Sequence, residues 1–84
     1  MTFVYILQSQ KNNRFYVGTT DNLGRRMIQH NLGKNKSTKS SLPFELVYKE
    51  EFSSLSEARK RESYIKRQKS KQFIEKLIEG WSLA

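Results

Sequence analysis

The chain has 84 residues, a length that predicts one small domain over residues 1–84 with a core of limited size. It contains no cysteine, which excludes disulfides, thiolate metal sites and thiol catalysis. Lys and Arg number 16 against 8 Asp and Glu, so the net charge is +8 and the pI about 10.0. This surplus favours a polyanionic partner bound in a salt-dependent way, although a basic surface can also serve solubility alone.

Membrane and secretion signals are missing from the sequence. No apolar run approaches membrane-spanning length, and the first residues, MTFVYILQSQ, show neither a basic n-region nor a cleavage site. We therefore expect a cytoplasmic protein. No P-loop, GxSxG, HExxH or zinc-spaced histidine cluster occurs, and one histidine cannot build a histidine dyad or metal cage. Any hydrolytic chemistry must then use tyrosine, arginine, lysine and carboxylate side chains.

The first predicted element is a β-hairpin. Thr2–Leu7 and Phe15–Thr19 are rich in β-branched and aromatic residues, and they flank a polar stretch with a loop near residues 11–13. If the loop has an even number of residues, Tyr5 and Tyr16 point to the same face of the sheet.

A helix follows the second strand. Gly18 and two threonines lead into a segment from about Asn22 to Asn31, and Asp21 is placed to cap it. The helical period puts Leu23 and Met27 on the buried side.

The same helix carries three basic side chains with different predicted roles. Arg26 and His30 are four residues apart and flank the buried side, whereas Arg25 points into water. For Arg26 we favour a functional role over a salt bridge. An arginine from a helix and a tyrosine from a strand can border one small hollow, which is an arrangement typical of phosphate chemistry.

The segment from Leu32 to Leu42 is a loop rich in Gly, Ser, Asn and Lys. It carries Lys34, Lys36 and Lys39 without an acidic residue, so it can be a solvated connector, an electropositive flap over a phosphate backbone, or both. Phe44–Phe52 then alternates apolar and polar residues, which predicts a third strand.

A capping box, Ser54 to Glu57, predicts a helix from Leu55 to about Lys69. This helix and its end are strongly basic, and most of these cations must be solvated because one face cannot hold them all. The candidates for contacts to a nucleic acid backbone are Arg59, Lys66, Arg67 and Lys69.

Glu62 is the least expected residue of this helix. It falls within the apolar stripe formed by Leu55, Ala58 and Ile65. A carboxylate on that side is costly unless it is paired or bound to a cation. It is either a metal ligand or acid, or the partner of a nearby cation such as Lys66, and the helical wheel does not decide between these interpretations.

The last predicted helix runs from Lys71 to about Glu79, with Ser70 as its cap and Gly80 as its end. An apolar stripe on this helix faces the core, and we expect Trp81 to close that core. The predicted order of elements is β-β-α-β-α-α.

The tyrosines and their flanking residues resemble the motifs of the GIY-YIG nuclease family, and the resemblance covers nearly the whole chain. Val4-Tyr5 stands where the first half-motif ends, and Tyr16-Val17-Gly18 corresponds to the second half-motif. The segment LGRRMIQH is similar to the one that carries the family's arginine and histidine, and ARKRESYIK is similar to the helix with the metal-binding glutamate. The chain is most similar to the short stand-alone members.

This resemblance implies an α/β (α+β) domain with a three-stranded antiparallel sheet packed with about three helices. It also implies phosphodiester hydrolysis with a single divalent cation, Mg²⁺ or Mn²⁺, held by Glu62. Arg26 would clamp the scissile phosphate and His30 would support the site. Tyr5 would activate or orient the attacking water, with Tyr16 beside it. The chain departs from the family pattern in having no glycine before the first motif tyrosine and no asparagine after the motif glutamate.

Three functional hypotheses follow from these observations. The first is a metal-dependent endonuclease acting on DNA, including branched, flap or damaged DNA. The second is a non-catalytic module that binds DNA or structured RNA through its charge. The third is a scaffold that binds another protein, which a stable protein complex without nucleic acid affinity at low salt would favour.

Overall fold

The computed structural model describes residues 1–33 and 39–82. The elements in chain order are β1 (Thr2–Ser9), β2 (Phe15–Thr20), α1 (Leu23–Asn31), a short 3₁₀ turn (Lys39–Ser41), β3 (Phe44–Phe52), α2 (Leu55–Gln68) and α3 (Lys71–Ser82). The strands form one antiparallel sheet in the order β2-β1-β3. The predicted order of elements and the three-stranded sheet are thereby confirmed.

The strand register confirms the predicted orientation of the two tyrosines. Tyr5 is opposite Gly18, and Leu7 is opposite Tyr16. Residues directly opposite in an antiparallel pair project to the same face, and so do residues two apart in one strand. Tyr5 and Tyr16 therefore share a face of the sheet.

The central strand β1 contributes to two cores, one on each face of the sheet. On one face Val4 packs with Ala58 and Ile65 of α2, and apolar residues of α3 complete this cluster. On the other face Tyr5 and Leu7 pack with residues of β3 and α1. Because both faces of the sheet are covered, the only way to bring groups of the two faces together is around an edge strand.

The caps of the first two helices show one correction and one confirmation. The cap of α1 is Asn22, whose Oδ1 accepts from the backbone N–H of Arg25 at 3.0 Å. The prediction of Asp21 was wrong because Asn22 has the extended backbone at the first turn, while Asp21 lies 3.6 Å from the exposed Arg25 guanidinium. Ser54 caps α2 as predicted, accepting from the Glu57 N–H at 3.2 Å.

The end of α3 differs from the expectation. Ser70 accepts from the Phe73 N–H as predicted, but the helix continues through Gly80 to Ser82. A glycine costs a helix only about 1 kcal/mol relative to alanine, which the packing of α3 on the sheet outweighs. Trp81 does not close the core. It is 37% exposed, with its ring centroid 6.3 Å from that of Tyr48.

Leu55, assigned to the apolar stripe of α2, is the first residue of the helix and is 48% exposed. Lys34 and Lys36 lie outside the described residues, and Lys39 is exposed at the start of the 3₁₀ turn.

None of the helices within residues 1–33 and 39–82 has the length and hydropathy needed to span a bilayer.

Candidate active site

Tyr5 of β1 reaches the candidate site by passing across Gly18 of the edge strand β2. A Cβ atom at Gly18 would lie 2.4 Å from Tyr5 Oη and 2.6 Å from Tyr5 Cζ. These distances are far inside van der Waals contact, so only a glycine leaves room for the tyrosine ring. The glycine explains how a tyrosine of the central strand can place its hydroxyl over the edge strand.

Two side chains of α1 meet the Tyr5 hydroxyl. Arg26 Nε donates to Tyr5 Oη at 3.3 Å, and His30 Nε2 lies 3.3 Å from the same oxygen. Since a guanidinium N–H can only donate, Tyr5 Oη accepts from Arg26 and can donate its own proton to His30. The predicted spacing of four residues on one helix thus brings both side chains to one phenol.

His30 is buried, being only 5% exposed, and its ring packs edge-on against Phe44 with centroids 5.8 Å apart. Burial, and then the positive charge of Arg26, lower the pKa of His30 below its ordinary value. The imidazole is therefore neutral near pH 7, and in the tautomer with its proton on Nδ1 it offers Nε2 to Tyr5 as a hydrogen-bond acceptor. A charged histidine would instead repel Arg26.

Tyr16 lies on the same face of the sheet as Tyr5, and its hydroxyl is 2.9 Å from Ser41 Oγ. Ser41 is buried and also accepts from Asn12 Nδ2 at 3.1 Å, while the Tyr16 ring packs edge-on against Phe44. These contacts hold Tyr16 in place. The hydroxyl of Tyr16 is held by a neutral serine, whereas that of Tyr5 lies between the Arg26 guanidinium and the His30 imidazole. Tyr5 is therefore the better placed of the two tyrosines for direct chemistry.

Glu62 approaches β2 from the opposite face of the sheet, on α2. The Thr19 hydroxyl donates to Glu62 Oε1, and the Lys66 ammonium lies 2.7 Å from Glu62 Oε2. Burial alone would raise the pKa of Glu62, but the hydrogen bonds from Lys66 and Thr19, with the charges of Lys66 and Arg59, lower it. Glu62 is consequently an ionised carboxylate at neutral pH.

One cleft of about 1000 Å³ joins the two sides of the β2 edge. Tyr5, Tyr16, Arg26 and His30 line it from one side and Glu62 from the other. Its other charged lining residues within the described part of the chain are the cations Arg14, Arg59, Lys66, Lys69 and Lys71. A lone carboxylate among cations is suited to a phosphate-bearing ligand accompanied by a metal ion.

The structure brings together all five residues that the sequence predicted for catalysis, and their roles stay predictions. Of the residues predicted to contact a nucleic acid backbone, Arg59, Lys66 and Lys69 line the cleft. Arg67 lies in a neighbouring groove on α2, and Lys39 is outside the lining of both.

The donor atoms at Glu62 fit a weakly held hard cation. Within residues 1–33 and 39–82 no three His, Asp or Glu side chains cluster closely enough to form a metal cage. A single carboxylate suits Mg²⁺, which retains several waters and takes substrate oxygens as further ligands. The Lys66 side chain is 55% exposed, so its ammonium can move away from Glu62 Oε2.

The sequence did not predict three residues that hold other side chains in place by hydrogen bonds. Thr19 and Ser41 hold Glu62 and Tyr16, and neither has a sequence signal because each partner is distant in the chain. The third is Arg61, one of the cations of the basic helix α2. Its Nε donates at 3.0 Å to Glu50 of β3 and fastens α2 to the sheet.

Comparison with known proteins agrees with this architecture. The sequence profile of the GIY-YIG catalytic domain matches residues 1–76. A UPF0213 protein of Staphylococcus haemolyticus is 49% identical over 65 residues, which are 76% of this chain and 78% of that protein. The UPF0213 protein YazA of Bacillus subtilis is 40% identical over 77 residues, covering 87% of this chain and 77% of YazA. The solution NMR structure of a UPF0213 protein from Bacillus halodurans is 34% identical, with a TM-score of 0.59, and the match covers 94% of this chain and 84% of that one.

Proposed function

Because this chain belongs to the GIY-YIG family, among its small UPF0213 members, we propose that it is a divalent-metal-dependent endonuclease that hydrolyses phosphodiester bonds in DNA. Members of the GIY-YIG family are generally endonucleases that act on nucleic acid. The observation that carries the proposal is the hydrogen-bonded group of Tyr5, Arg26 and His30 facing Glu62 across one basic cleft.

Arg26 binds the scissile phosphate in this proposal. Its Nε donates to Tyr5, which leaves the terminal N–H groups of the guanidinium for phosphate oxygens. The planar guanidinium fork matches the geometry of a phosphate. The same side chain therefore holds the phosphate beside the Tyr5 hydroxyl.

Tyr5 orients the attacking water. Its hydroxyl accepts from Arg26 and can pass its proton toward His30, which burial keeps neutral and able to accept. A water bonded to Tyr5 Oη would lie next to the phosphate that Arg26 holds. Tyr16 supports this wall through Ser41 and Phe44.

Glu62 would hold the divalent cation, Mg²⁺ or Mn²⁺, with the Thr19 hydroxyl on its other oxygen. When bound, such a cation neutralises charge that develops on the phosphate and on the leaving oxygen.

The exposed cations at the rim, Arg59 and Lys69 among them, bind flanking phosphates without reading the sequence. Branched, flap and damaged DNA are the substrates we put first. A cytoplasmic location remains an expectation from the sequence.

A second candidate is a non-catalytic module that binds DNA or structured RNA. The observation that favours it is the ion pair between Lys66 and Glu62, which occupies the only carboxylate among the described residues of the cleft. In this case binding would depend on salt and be indifferent to divalent metal.

The test is cleavage of labelled single-stranded, duplex, flap and branched DNA, with RNA controls, in Mg²⁺, Mn²⁺ or EDTA. Wild type is compared with Glu62→Gln and with Glu75→Gln, which removes an exposed carboxylate from α3. We expect metal-dependent products from wild type and Glu75→Gln and none from Glu62→Gln, with binding retained by all three. Equal cleavage by folded Glu62→Gln would refute the proposal, and binding without turnover by wild type would establish the second candidate.

A further inference from the structure

The two oxygens of Glu62 have partners of different kinds. Oε1 accepts from the neutral hydroxyl of Thr19, which is part of strand β2 and is half-buried. Oε2 lies 2.7 Å from the ammonium of Lys66, one helical turn along α2. One oxygen is therefore held by the sheet, and the other is paired with a monovalent cation on a flexible side chain.

Lys66 pairs with the Glu62 oxygen that Thr19 does not hold, so a divalent cation approaching this oxygen would compete with the ammonium. A metal ion binding at Oε2 must displace the ammonium or share the oxygen with it, and both cost free energy because like charges repel. The Lys66 side chain is 55% exposed and that of Glu62 is 20% exposed, so the lysine is the partner that can leave.

Lys66 also lines the cleft together with Arg26 and Arg59. A phosphate backbone in this cleft offers the ammonium an alternative anion within reach of its flexible stem. The lysine can then exchange the carboxylate for a phosphate without leaving the cleft. The exchange releases Oε2 at the moment when phosphate oxygens become available as further metal ligands.

We propose that Lys66 acts as an internal counter-ion of Glu62 that a nucleic acid phosphate removes, so that Glu62 takes its divalent cation together with substrate rather than before it. This inference rests on the proposed function for the identity of the substrate. Thr19 is a positioning residue in this scheme, because it fixes Oε1 and leaves Oε2 to the exchange.

The first test measures Mn²⁺ binding to the protein alone by electron paramagnetic resonance of free Mn²⁺. Wild type is compared with Lys66→Gln and with Lys60→Gln, which removes the same charge from an exposed position of the same helix. We expect Lys66→Gln to bind Mn²⁺ about two- to fivefold more tightly than Lys60→Gln, as the loss of a partly exposed ion pair predicts. Equal affinities in the two variants would overturn the inference, and so would undiminished binding by Glu62→Gln.

The second test adds a short DNA duplex in a Tyr5→Phe background, which keeps Glu62, Thr19 and Lys66 while suppressing turnover. Mn²⁺ bound by the duplex alone is subtracted. The duplex should tighten Mn²⁺ binding more when Lys66 is present than in Lys66→Gln, and equal tightening would contradict the exchange.

These outcomes are separable from those of the cleavage assay. Tighter Mn²⁺ binding by Lys66→Gln without any cleavage by wild type would support the counter-ion role and refute the endonuclease. Metal-dependent cleavage with equal Mn²⁺ affinity in Lys66→Gln and Lys60→Gln would support the endonuclease and refute the counter-ion role of Lys66.

Discussion

Gly18 decides whether Tyr5 can reach the cleft. Replacement by alanine would place a methyl group 2.4 Å from Tyr5 Oη, so either the ring or the strand must shift. We expect Gly18→Ala to lower cleavage about a hundredfold, the loss typical of a reacting group misplaced by about 1 Å, and to destabilise the fold by about 1–3 kcal/mol. Single-turnover cleavage and urea unfolding measure the two effects.

Gly24→Ala is the matched control for that substitution. Gly24 lies in the first turn of α1, where an added Cβ would meet only Asn22 Oδ1 at 3.9 Å. We expect this variant to keep full activity. A comparable loss in both variants would mean that Gly18 has no special relation to Tyr5.

Thr19 contributes, after Lys66, to the lowered pKa of Glu62. Its hydroxyl is one of the hydrogen-bond donors that hold the pKa of Glu62 below its usual value, so Thr19→Val should raise that pKa. The carboxylate would then become protonated at a higher pH than in wild type, and metal binding would be lost earlier on acidification. Carboxyl ¹³C NMR of the metal-free protein measures the shift directly. Thr20→Val is the control, since Thr20 Oγ1 bonds to the backbone at Asn22, and an unchanged pKa in Thr19→Val would contradict the assignment.

At the scale of elements, α3 carries a glycine that the structure does not require. Gly80 lies inside the helix, its φ is not positive, and an added Cβ would meet nothing within 4 Å. Gly80→Ala should therefore stabilise the protein by about 0.5–1 kcal/mol, because alanine restricts the unfolded chain and favours the helix. Thermal unfolding should show a Tm higher by a few degrees. An unchanged or lower Tm would indicate that the end of α3 does not contribute to the cooperative fold.

The elements themselves were largely predictable from local patterns. Strand alternation of period two placed Tyr5 and Tyr16 on one face, and the helical period placed Arg26 and His30 together. The capping box at Ser54 fixed the start of α2. These features depend on residues a few positions apart, and such short-range geometry is constant among proteins.

The contacts between elements were not predictable in the same way. Thr19 meets Glu62 from 43 positions away, and Tyr16 meets Ser41 from 25 positions away. Contacts at such separations depend on how α2 and the 3₁₀ turn pack against the sheet. The periodicity of the sequence does not encode this packing. The ion pair of Arg61 with Glu50 was missed for this reason, because a helical wheel cannot distinguish it from the solvated cations beside it.

At the scale of the whole molecule, the net charge of +8 is distributed so that several cations surround one carboxylate. If the cleft binds the nucleic acid backbone, its lysines should contribute to the salt dependence of binding and remote lysines should not. Lys69 lines the cleft, whereas Lys49 lies on β3 with its amine 5.9 Å from the ring centroid of Phe3, and both are exposed.

We therefore expect Lys69→Gln to weaken binding of a DNA duplex and to reduce the slope of log K against log salt by about 0.9, the value for one released counter-ion. Lys49→Gln should leave the slope unchanged. Fluorescence anisotropy titrations in EDTA, over a range of salt concentrations, separate this charge effect from metal-dependent chemistry. Equal slopes for the two variants would show that binding follows the net charge of the protein. That result would contradict the assignment of the cleft as the nucleic acid interface.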